Sequence, residues 1–406
     1  MSYRIERLGA EDYDELLSML NTTFRKTEGD TFDVFLPVMW ERDDEHMQKH
    51  LAIRENGRSA AVVGVYPLPA EVLGEPVLFA TIGNVATAKE FEGRGLMRAL
   101  MTEALSEAER MGVDVARLGG KRQRYNRYGF EHAGADYQFR LTPKNLSAYY
   151  GAVFSDGALS YQGSPLSNGA PFERRLHFVP VSLQDDALLE AVMRLEKNAP
   201  LYAERGGKKQ FFKTLSAYRC RIVAALDGTE TPVGYLCVTP EGETVYEHRA
   251  DSPSVEYQML LEWLLASGVS ALLIHTAPWE AELNALLGRI SEKWGLTNVS
   301  QFHIFSWEKL AGAMLRVKAG YTHLPEGRFL CGIEDYGTLS LTEKGCEKTD
   351  EAPQLVLNRL DATRFLFGSL PVGALGLMPR ELDPKTAAWV QAVLPLPLWW
   401  CNQDRV

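Results

Sequence analysis

The residues Val85 to Leu100 form the stretch of this 406-residue chain that is best suited to chemistry. They read V-A-T-A-K-E-F-E-G-R-G-L-M-R-A-L, so an apolar extended segment leads through a glycine-rich turn directly into an amphipathic helix. A turn of small residues leaves backbone N–H groups free, and the N-terminus of the helix that follows adds partial positive charge. The pattern therefore predicts a site for an anion such as a pyrophosphate, with Arg94 and Arg98 adding formal charge.

Two other phosphate-binding turns are excluded by spacing. The G-x-G-x-x-G pattern of nicotinamide-binding folds is absent here, and no G-K-[ST] follows the turn as it would in a P-loop.

The elements around the turn must position it. The helix after the turn has apolar residues at helical spacing and ends at Gly112. A second extended run, Val113–Leu118, follows, and then the aromatic loop G-G-K-R-Q-R-Y-N-R-Y-G-F, which begins at Gly119 and ends at Phe130. The predicted order is strand, phosphate turn, helix, strand and aromatic loop.

This order resembles the Gcn5-related (GNAT) acetyltransferases, which bind acyl-CoA. Their turn reads [R/Q]-x-x-G-x-[G/A], and Glu92, Gly95 and Met97 occupy the three marked positions here. The resemblance implies that the amides of the turn hold the pyrophosphate of acetyl-CoA and that the preceding strand bonds the pantetheine arm. The implied cofactor-binding residues are Val85, Ala86, Thr87, Glu92, Gly93, Arg94, Gly95, Leu96, Met97 and Arg98. Glu92 lacks the usual positive charge, which Arg94 is expected to supply.

The chain is long enough for two or three domains. The segment from Tyr161 to Ser306 predicts a similar order of elements. Its helices are predicted at Asp185–Leu195, Val255–Leu265 and Glu280–Trp294, and its strands at Arg221–Leu226, Val233–Val238, Val245–Arg249 and Ala271–His275. Between strand and helix it reads E-H-R-A-D-S-P-S-V-E, without a glycine. We interpret it as a degenerate acetyltransferase unit, with an unrelated α/β domain as the alternative.

From Trp307 onward the pattern changes again. A helix at Trp307–Val317 precedes short strands at Arg328–Ile333, Thr338–Leu341 and Leu355–Leu360, and a helix at Ala362–Leu370. This arrangement resembles the sterol-carrier-like third domain of the Eis-type (enhanced intracellular survival) acetyltransferases. The predicted fold class is α/β (α+β), with an active GNAT domain at 1–145, a degenerate GNAT domain at 146–304 and a sterol-carrier-like domain at 305–406. The resemblance also implies a homo-oligomer, a trimer or a hexamer.

The reaction needs a base for the protonated amine and an acid for the departing thiolate. In the Eis group the acid is a tyrosine in a Y-G-R-F-G-Y-like loop, which is matched here by Tyr125, and the base is the terminal carboxylate, here that of Val406. A tyrosine of ordinary pKa, about 10, is protonated at neutral pH and can donate. The alternatives are a packed aromatic residue at Tyr125 and a frayed terminus at Val406.

Charged residues elsewhere give weaker signals. Glu28, Asp30 and Asp33 follow the first predicted helix, Tyr13–Phe24, where these folds bind their acceptor, and they are candidate substrate contacts for an amine. The basic run beside Tyr125 could contact a phosphate, although such a run is more often a solvated surface. His46 and His50 are spaced as if on one helix, but they lack the H-E-x-x-H pattern and are expected at the surface.

Composition narrows the setting. The formal net charge of −10 argues against nucleic acid as a partner. The five cysteines include no C-x-x-C pair, so no metal site and no disulfide framework is expected. Neither end reads as a signal peptide or a membrane span, so a cytoplasmic protein without membrane contact is predicted.

Two hypotheses follow. The first is an acetyl-CoA-dependent N-acetyltransferase that acts by direct attack in a ternary complex, with an aminoglycoside-like compound, a polyamine or a lysine as the acceptor. The second is a non-catalytic protein that senses acyl-CoA or carries a lipid, which the off-pattern Glu92 and Met97 keep open. Acyl transfer to a protein N-terminus is a third interpretation.

Overall fold

The structure, a computed structural model, describes residues 3–150, 153–155, 158–160 and 176–404. It divides into two compact units. Unit 1 contains the chain up to Ala135 together with Asn298–Trp400, and unit 2 contains Asp136–Thr297 together with Cys401–Asp404. Strands and helices are numbered below in chain order across both units.

The first part of unit 1 holds the predicted phosphate turn. Its elements are β1 (Ile5–Arg7), α1 (Tyr13–Thr23), α2 (Phe32–Phe35), α3 (Asp44–Met47), β2 (His50–Glu55), β3 (Arg58–Val72), β4 (Glu75–Thr87), α4 (Leu96–Arg110), β5 (Val115–Leu118), α5 (Arg122–Tyr125) and β6 (Glu131–Ala133). The apolar positions of α4 recur three or four residues apart and pack onto the sheet, because that spacing places them on one face of a helix. Gly112, with φ of +74°, follows the end of this helix.

Unit 2 is built from the central part of the chain. Its elements are β7 (Asp136–Leu141), α6 (Pro143–Tyr150), β8 (Val153–Ser155), β9 (Ala158–Ser160), β10 (His177–Pro180), α7 (Asp186–Glu196), β11 (Leu201–Ala203), α8 (Lys208–Leu215), β12 (Arg221–Leu226), β13 (Pro232–Val238), β14 (Thr244–Ala250), α9 (Pro253–Ala266), β15 (Leu272–Thr276), α10 (Ala281–Ile290) and β16 (Lys293–Thr297). Its sheet buries an apolar cluster on each of two sides, one with α9 and α10 and the other with α7 and α8.

The remaining elements return to unit 1. They are β17 (Ser300–Ile304), α11 (Trp307–Ala319), β18 (Arg328–Ile333), β19 (Gly337–Thr342), β20 (Gly345–Thr349), β21 (Leu355–Leu357), α12 (Arg359–Phe367) and α13 (Pro384–Val393). The strands β20, β19, β18 and β21 form a four-stranded sheet in that order. Helix α11 packs against β20 and β19, which gives the α+β arrangement that was predicted for this region.

The two large sheets have the same strand order. In unit 1 the order is β1-β2-β3-β4-β5-β17-β6, and in unit 2 it is β10-β12-β13-β14-β15-β7-β16. Each sheet contains one parallel pair, β4 with β5 and β14 with β15. The predicted repetition of topology is therefore present.

The units do not follow the predicted boundaries at 145/146 and 304/305. Strand β7 pairs with β15 and β16 and so belongs to the second sheet, although it precedes residue 145. Strand β17 pairs with β5 and β6 and so completes the first sheet. Hydrogen bonding between strands that are far apart in sequence sets these boundaries, and hydrophobic periodicity alone does not report it.

Three predicted elements need correction. The helix predicted at Glu280–Trp294 ends at Ile290, and Trp294 lies on the edge strand β16. The strand predicted at Leu355–Leu360 ends at Leu357, because Asn358 caps α12 by accepting a hydrogen bond from the Asp361 N–H. The helix that follows therefore begins at Arg359 rather than at Ala362.

Candidate active site

Strand β4 contains a β-bulge at Asn84. Two residues of this strand, Asn84 and Val85, lie opposite the single residue Val63 of β3. Asn84 has φ of +52°, a left-handed conformation that asparagine tolerates better than most residues. The bulge interrupts the regular ladder at the point where the predicted cofactor-binding segment begins.

The parallel strands β4 and β5 separate at the same point. Of β4, only Phe79–Ile82 pair with β5, whereas β4 itself continues to Thr87. On the side that faces away from β3, the main chain of Val85, Ala86 and Thr87 therefore has no partner among the residues of β5. Backbone groups at such an edge can bond an extended ligand, because strand-like pairing needs only a row of N–H and C=O groups.

The turn after β4 owes its shape to two glycines. Gly93 has φ of +78° and Gly95 has φ of +81°. A Cβ atom at either position would meet nothing within 4 Å, so the backbone conformation, and not lack of space, favours glycine here. Gly95 caps α4, and its carbonyl accepts a hydrogen bond from the Ala99 N–H at 3.2 Å.

The N-terminus of α4 supplies free amides. The N–H groups of Leu96, Met97 and Arg98 belong to the first turn, and a helix offers them no acceptor one turn earlier. Together with the helix dipole, they favour an anion at this end of the helix. Leu96 itself is buried in the core, whereas Arg98 is exposed beside the amides.

Arg94 is engaged within the protein. Its guanidinium forms a two-pronged ion pair with Glu55, in which Nη1 lies 2.8 Å from Oε2, and it lies over the ring of Phe91. Its carbonyl accepts a hydrogen bond from the Tyr3 hydroxyl at 2.7 Å. Arg94 was expected to supply the positive charge that Glu92 lacks. A phosphate would have to compete with Glu55 for the Arg94 guanidinium. Glu92 is exposed.

Tyr125 ends the short helix α5 and is only 5% exposed. It packs in the same apolar cluster as Leu96 and Leu100 of α4 and Leu118 of β5. Burial raises the pKa of its phenol, against a smaller opposing effect of Arg124. A phenol in this environment remains protonated at neutral pH, as a proton donor must.

The basic run before Tyr125 is only partly solvated. Arg122 binds Glu131 through two of its nitrogens, with Nε at 2.5 Å from Oε1, and the Glu131 side chain is fully buried. Lys121, Arg124 and Arg127 are exposed. Arg122 therefore anchors the loop and is not a free contact for a phosphate.

The three predicted acceptor contacts differ in their surroundings. Glu28 is exposed, and Asp30 accepts a hydrogen bond from the Thr27 hydroxyl at 3.3 Å. Asp33 lies on α2, and its Oδ1 is buried with no hydrogen-bond partner among the described residues. The negative charge of Asp33, together with burial as the larger cause, raises the pKa of Tyr13, so these two side chains lie close together. Of the three, Asp33 is the one with a buried carboxylate oxygen that lacks a partner among the described residues.

Aromatic side chains surround this part of the chain, and the sequence analysis did not single them out. The ring of Trp40 contacts Tyr13, Phe32 and His50, with ring centroids 5.8, 6.3 and 5.8 Å apart. Two cations already use these rings, because Lys26 lies 5.1 Å from the centre of the Phe32 ring and Arg42 lies 4.6 Å from that of Tyr13. Aromatic faces of this kind attract ammonium groups.

The two histidines of the first unit lie elsewhere than expected. Helix α3 ends at Met47, so His46 and His50 do not share a helix. His50 begins β2 and is fully buried, and His46 is 9% exposed. The prediction of surface histidines was wrong, because spacing alone did not show that the helix ends between them.

In unit 2 the corresponding position is filled by charged side chains. The strands β14 and β15 pair only at Thr244 and Val245 and then diverge. His248 bridges the gap beyond, since its Nε2 lies 3.0 Å from the carbonyl oxygen of His275 and its Nδ1 lies 2.7 Å from Glu256. The helix that follows is capped by Ser252, which accepts from the Val255 N–H, and this differs from the open glycine turn of unit 1.

One group of described residues in unit 2 could hold a metal ion. The ligand atoms of His248, Glu256 and Glu280 lie within 4.8 Å of one another. Each already has partners, since Glu256 binds His248, and Glu280 binds Arg249 at 3.2 Å and the Ala277 N–H at 2.6 Å. These bonds describe a network in which His248 and Arg249 face the two carboxylates. Burial is the largest single effect on the pKa of His248 and lowers it, but the charges of Glu256 and Glu280 together raise this pKa above its usual value.

The described end of the chain is anchored in unit 2. Asp404 accepts two hydrogen bonds of 2.8 Å from Arg205, which is 7% exposed and also binds Glu247. Gln403 donates to the carbonyl of Leu215 at 3.0 Å, and the Cys401 thiol lies 2.7 Å from Glu247. Val406, the predicted base, lies outside the described residues.

An open strand edge, a glycine turn and a free helix N-terminus in one sheet are the features that the sequence predicted for a GNAT domain. The sequence comparison agrees, because residues 4–133 match the sequence model of the acetyltransferase (GNAT) domain. The predictions of a GNAT acetyltransferase and of its fold class are confirmed. No curated protein matches the sequence significantly.

Solved structures cover almost the whole chain. A probable N-acyltransferase from Enterococcus faecalis V583 has a TM-score of 0.68 at 15% identity, covering 98% of this chain and 100% of its own. A GCN5-related N-acetyltransferase from Anabaena variabilis has a TM-score of 0.67 at 16% identity, with coverages of 98% and 99%. Eis1 from Mycobacterium abscessus has a TM-score of 0.67 at 14% identity, with coverages of 99% and 100%. At these identities the likeness shows a shared fold, including the tandem GNAT arrangement.

In the described part of the chain, the helices are too short or too polar to cross a membrane.

Proposed function

We propose that this protein transfers an acetyl group from acetyl-CoA to a primary amine of a cationic acceptor. The observation that supports this best is the joint presence, in one sheet, of the Asn84 bulge, the open edge of β4 and the N-terminus of α4. The edge at Val85–Thr87 suits the pantetheine arm, and the amides of Gly93–Met97 suit the pyrophosphate. Glu92 and Arg98 border the same turn.

The proposed reaction is a direct attack in a ternary complex. The amine first loses a proton, and its nitrogen then forms a bond to the thioester carbonyl carbon while the C–S bond breaks. The departing CoA thiolate takes a proton from the Tyr125 hydroxyl, and the proton that the nitrogen sheds as the amide forms restores that hydroxyl, so the products are the amide and free CoA. The base proposed for the amine is the terminal carboxylate of Val406, which burial would have to make more basic than an ordinary α-carboxyl group.

Asp33 is the strongest candidate for holding the acceptor. A buried carboxylate oxygen without a partner gains most from an ammonium group, because an unpaired buried charge is costly. An ammonium group would compete with Arg42 and Lys26 for cation–π attraction to the rings of Tyr13 and Phe32. Glu28 and Asp30 would add longer-range attraction for a polyamine, an aminoglycoside-like compound or a lysine side chain.

A non-catalytic role in sensing acyl-CoA or carrying a lipid is the second candidate. The ion pair of Arg94 with Glu55 favours it, because this pair leaves the pyrophosphate turn with less available positive charge than the GNAT pattern provides. A sensor would bind acetyl-CoA but would not consume it.

Free-thiol release from acetyl-CoA separates the two candidates. The full chain is supplied in turn with aminoglycosides, polyamines and lysine peptides, beside a variant that ends at Asp404. Release by the full chain and loss in the truncated variant are expected. No release with any amine, despite measurable binding of acetyl-CoA, would favour the sensor. Release that survives the truncation would exclude Val406 as the base.

We further propose that the protein works in the cytoplasm as a homo-oligomer, as the Eis resemblance implies. Light scattering coupled to size-exclusion chromatography tests the oligomeric state. A monomer at micromolar concentration would contradict it.

A further inference from the structure

A buried polar cluster joins three neighbouring strands at the bulge. His50 begins β2, Tyr66 lies on β3 and Asn84 is the bulge residue of β4. Their exposed fractions are 0, 5 and 7%. A fully hydrogen-bonded buried polar network fixes one particular arrangement of the chain. The geometry of this cluster therefore indicates which backbone segment it holds in place.

The hydrogen bonds have a defined direction. Nδ1 of His50 lies 3.2 Å from the carbonyl oxygen of Met47, which can only accept, so this nitrogen carries the ring hydrogen. Nε2 is then an acceptor, and the Tyr66 hydroxyl donates to it at 2.7 Å. Asn84 donates from Nδ2 to the Tyr66 oxygen at 2.6 Å and lies 3.1 Å from the same histidine nitrogen. The side-chain amide of Asn84 is therefore held by both Tyr66 and His50.

A glycine gives the tyrosine the room to reach the bulge. Gly64 lies between His50 and Gly83 in the sheet. A Cβ atom at Gly64 would lie 2.4 Å from the Tyr66 hydroxyl oxygen, so the ring lies directly over this residue. The Tyr66 hydroxyl can thus occupy this position because Gly64, on the same strand, has no side chain.

The histidine stays neutral under ordinary conditions. Burial lowers the pKa of His50 to about 4, against the raising effect of the Met47 carbonyl. Nε2 therefore remains an acceptor at neutral pH, and the cluster keeps its pattern of bonds across the range in which an acetyltransferase would work.

We propose that His50, Tyr66 and Asn84 are positioning residues for acyl-CoA, which hold the bulge so that the main chain of Val85–Thr87 faces the pantetheine arm. The left-handed conformation of Asn84 turns the peptide groups at the bulge, and the bonds to its side chain fix that turn. The inference rests on the proposed function, because it assigns these residues to the binding of the same cofactor.

Tyr66→Phe tests the inference by removing the hydroxyl and keeping the ring. The dissociation constant for acetyl-CoA should rise roughly 5- to 30-fold, the effect of losing about one or two buried hydrogen bonds. The probe 3′-phosphoadenosine 5′-diphosphate keeps the pyrophosphate and lacks pantetheine, so its affinity should not change. The kcat at saturating acetyl-CoA should also stay unchanged, because the cluster touches no reacting atom.

A matched control separates positioning from general destabilisation. The Thr363 hydroxyl donates to the Arg359 carbonyl at 2.9 Å within α12, and Thr363 is 1% exposed. Thr363→Val removes a buried hydrogen bond of similar kind in the same unit and should leave both affinities unchanged. Asn84→Gly permits the left-handed backbone without the side chain, and it should weaken acetyl-CoA binding as Tyr66→Phe does.

The outcomes distinguish failure of the proposed function from failure of the positioning role. If the wild-type protein does not bind acetyl-CoA at all, the proposed function fails. If it binds acetyl-CoA and Tyr66→Phe and Asn84→Gly bind it equally well, only the positioning role fails. Equal weakening of both probes, or an equal effect of Thr363→Val, would also overturn that role, because it would indicate loss of folded protein.

Discussion

Arg122 and Glu131 form a bidentate ion pair whose carboxylate is fully buried. Arg122 is the first residue of α5 and Tyr125 is the last, so the ion pair fixes the start of the short helix that carries the proposed acid. Arg364 of α12 approaches the same carboxylate at 3.9 Å. The loop that carries Tyr125 is thus anchored by a charge from the core of unit 1.

We expect Arg122→Gln to lower both the melting temperature and the turnover. The substitution leaves the buried Glu131 carboxylate with a weaker set of partners, and an uncompensated buried charge is strongly destabilising. Lys121→Gln is the matched control, because it removes a neighbouring positive charge that is exposed. Both effects are measured by thermal denaturation and thiol release. Equal effects of the two substitutions would show that the basic residues beside Tyr125 act through their net charge and not by anchoring the loop.

Tyr125→Phe should lower kcat by about 10²- to 10⁴-fold, the usual contribution of a general acid, while the affinity for acetyl-CoA is retained. Because burial raises the pKa of Tyr125, a loss of rate due to its ionisation should appear only above pH 10. Steady-state rates from pH 6 to pH 11 test both statements. Tyr128→Phe, in the same loop, should turn over normally, and normal turnover by Tyr125→Phe would remove it from the mechanism.

The two ends of α4 provide a paired test of the phosphate turn. Gly95 and Gly112 have φ of +81° and +74°, and a Cβ atom at either would meet nothing within 4 Å. An alanine at each position should therefore cost a similar amount of stability, about 1–2 kcal/mol, through backbone strain alone. Only Gly95→Ala should also weaken acetyl-CoA binding, which calorimetry can measure. Equal binding by both variants would argue against the turn as the pyrophosphate site.

The sequence predicted the local parts of this site well. Val85–Leu100 reads as strand, turn and helix from spacing alone, and Gly93 and Gly95 adopt the left-handed conformations that only glycine adopts easily. These features depend on neighbours in the chain. The order of elements in unit 2 was predictable for the same reason.

Features that depend on pairing between distant residues were not predictable. The bulge at Asn84 results from the pairing register of β3 with β4. The residues next to Asn84 in the sequence do not by themselves specify that register. Arg122 looked like one member of a solvated basic run because Glu131 belongs to the next strand. The pairing partners of strands β7 and β17, and not their own residues, decide the unit to which each belongs.

Asp33→Asn should raise the KM for the amine acceptor and leave the KM for acetyl-CoA unchanged. The substitution keeps the shape of the side chain and removes the charge that would hold an ammonium group, and a hydrogen bond to a charged group contributes about 1.5–3 kcal/mol. Asp30→Asn is the control, since that carboxylate already has a partner in Thr27. The test is made with the best acceptor from the thiol-release panel. A larger effect at Asp30 than at Asp33 would place the acceptor elsewhere.

His50 makes the stability of unit 1 depend on pH on the acid side. Its pKa is about 4 in the folded protein and near 6.5 when unfolded, so between these values the unfolded chain binds more protons. Stability should therefore fall as the pH drops from about 6.5 to 4, by up to about 3 kcal/mol for this residue. Burial also lowers the pKa of His303 to about 4, so this residue should add a comparable loss of stability.

Urea denaturation at several pH values would show the slope of the unfolding free energy against pH. His50→Gln should reduce this slope and leave the part that is due to His303. A variant with the wild-type slope would mean that His50 is accessible to protons in the folded protein, and the neutral cluster with Tyr66 and Asn84 would then be wrong.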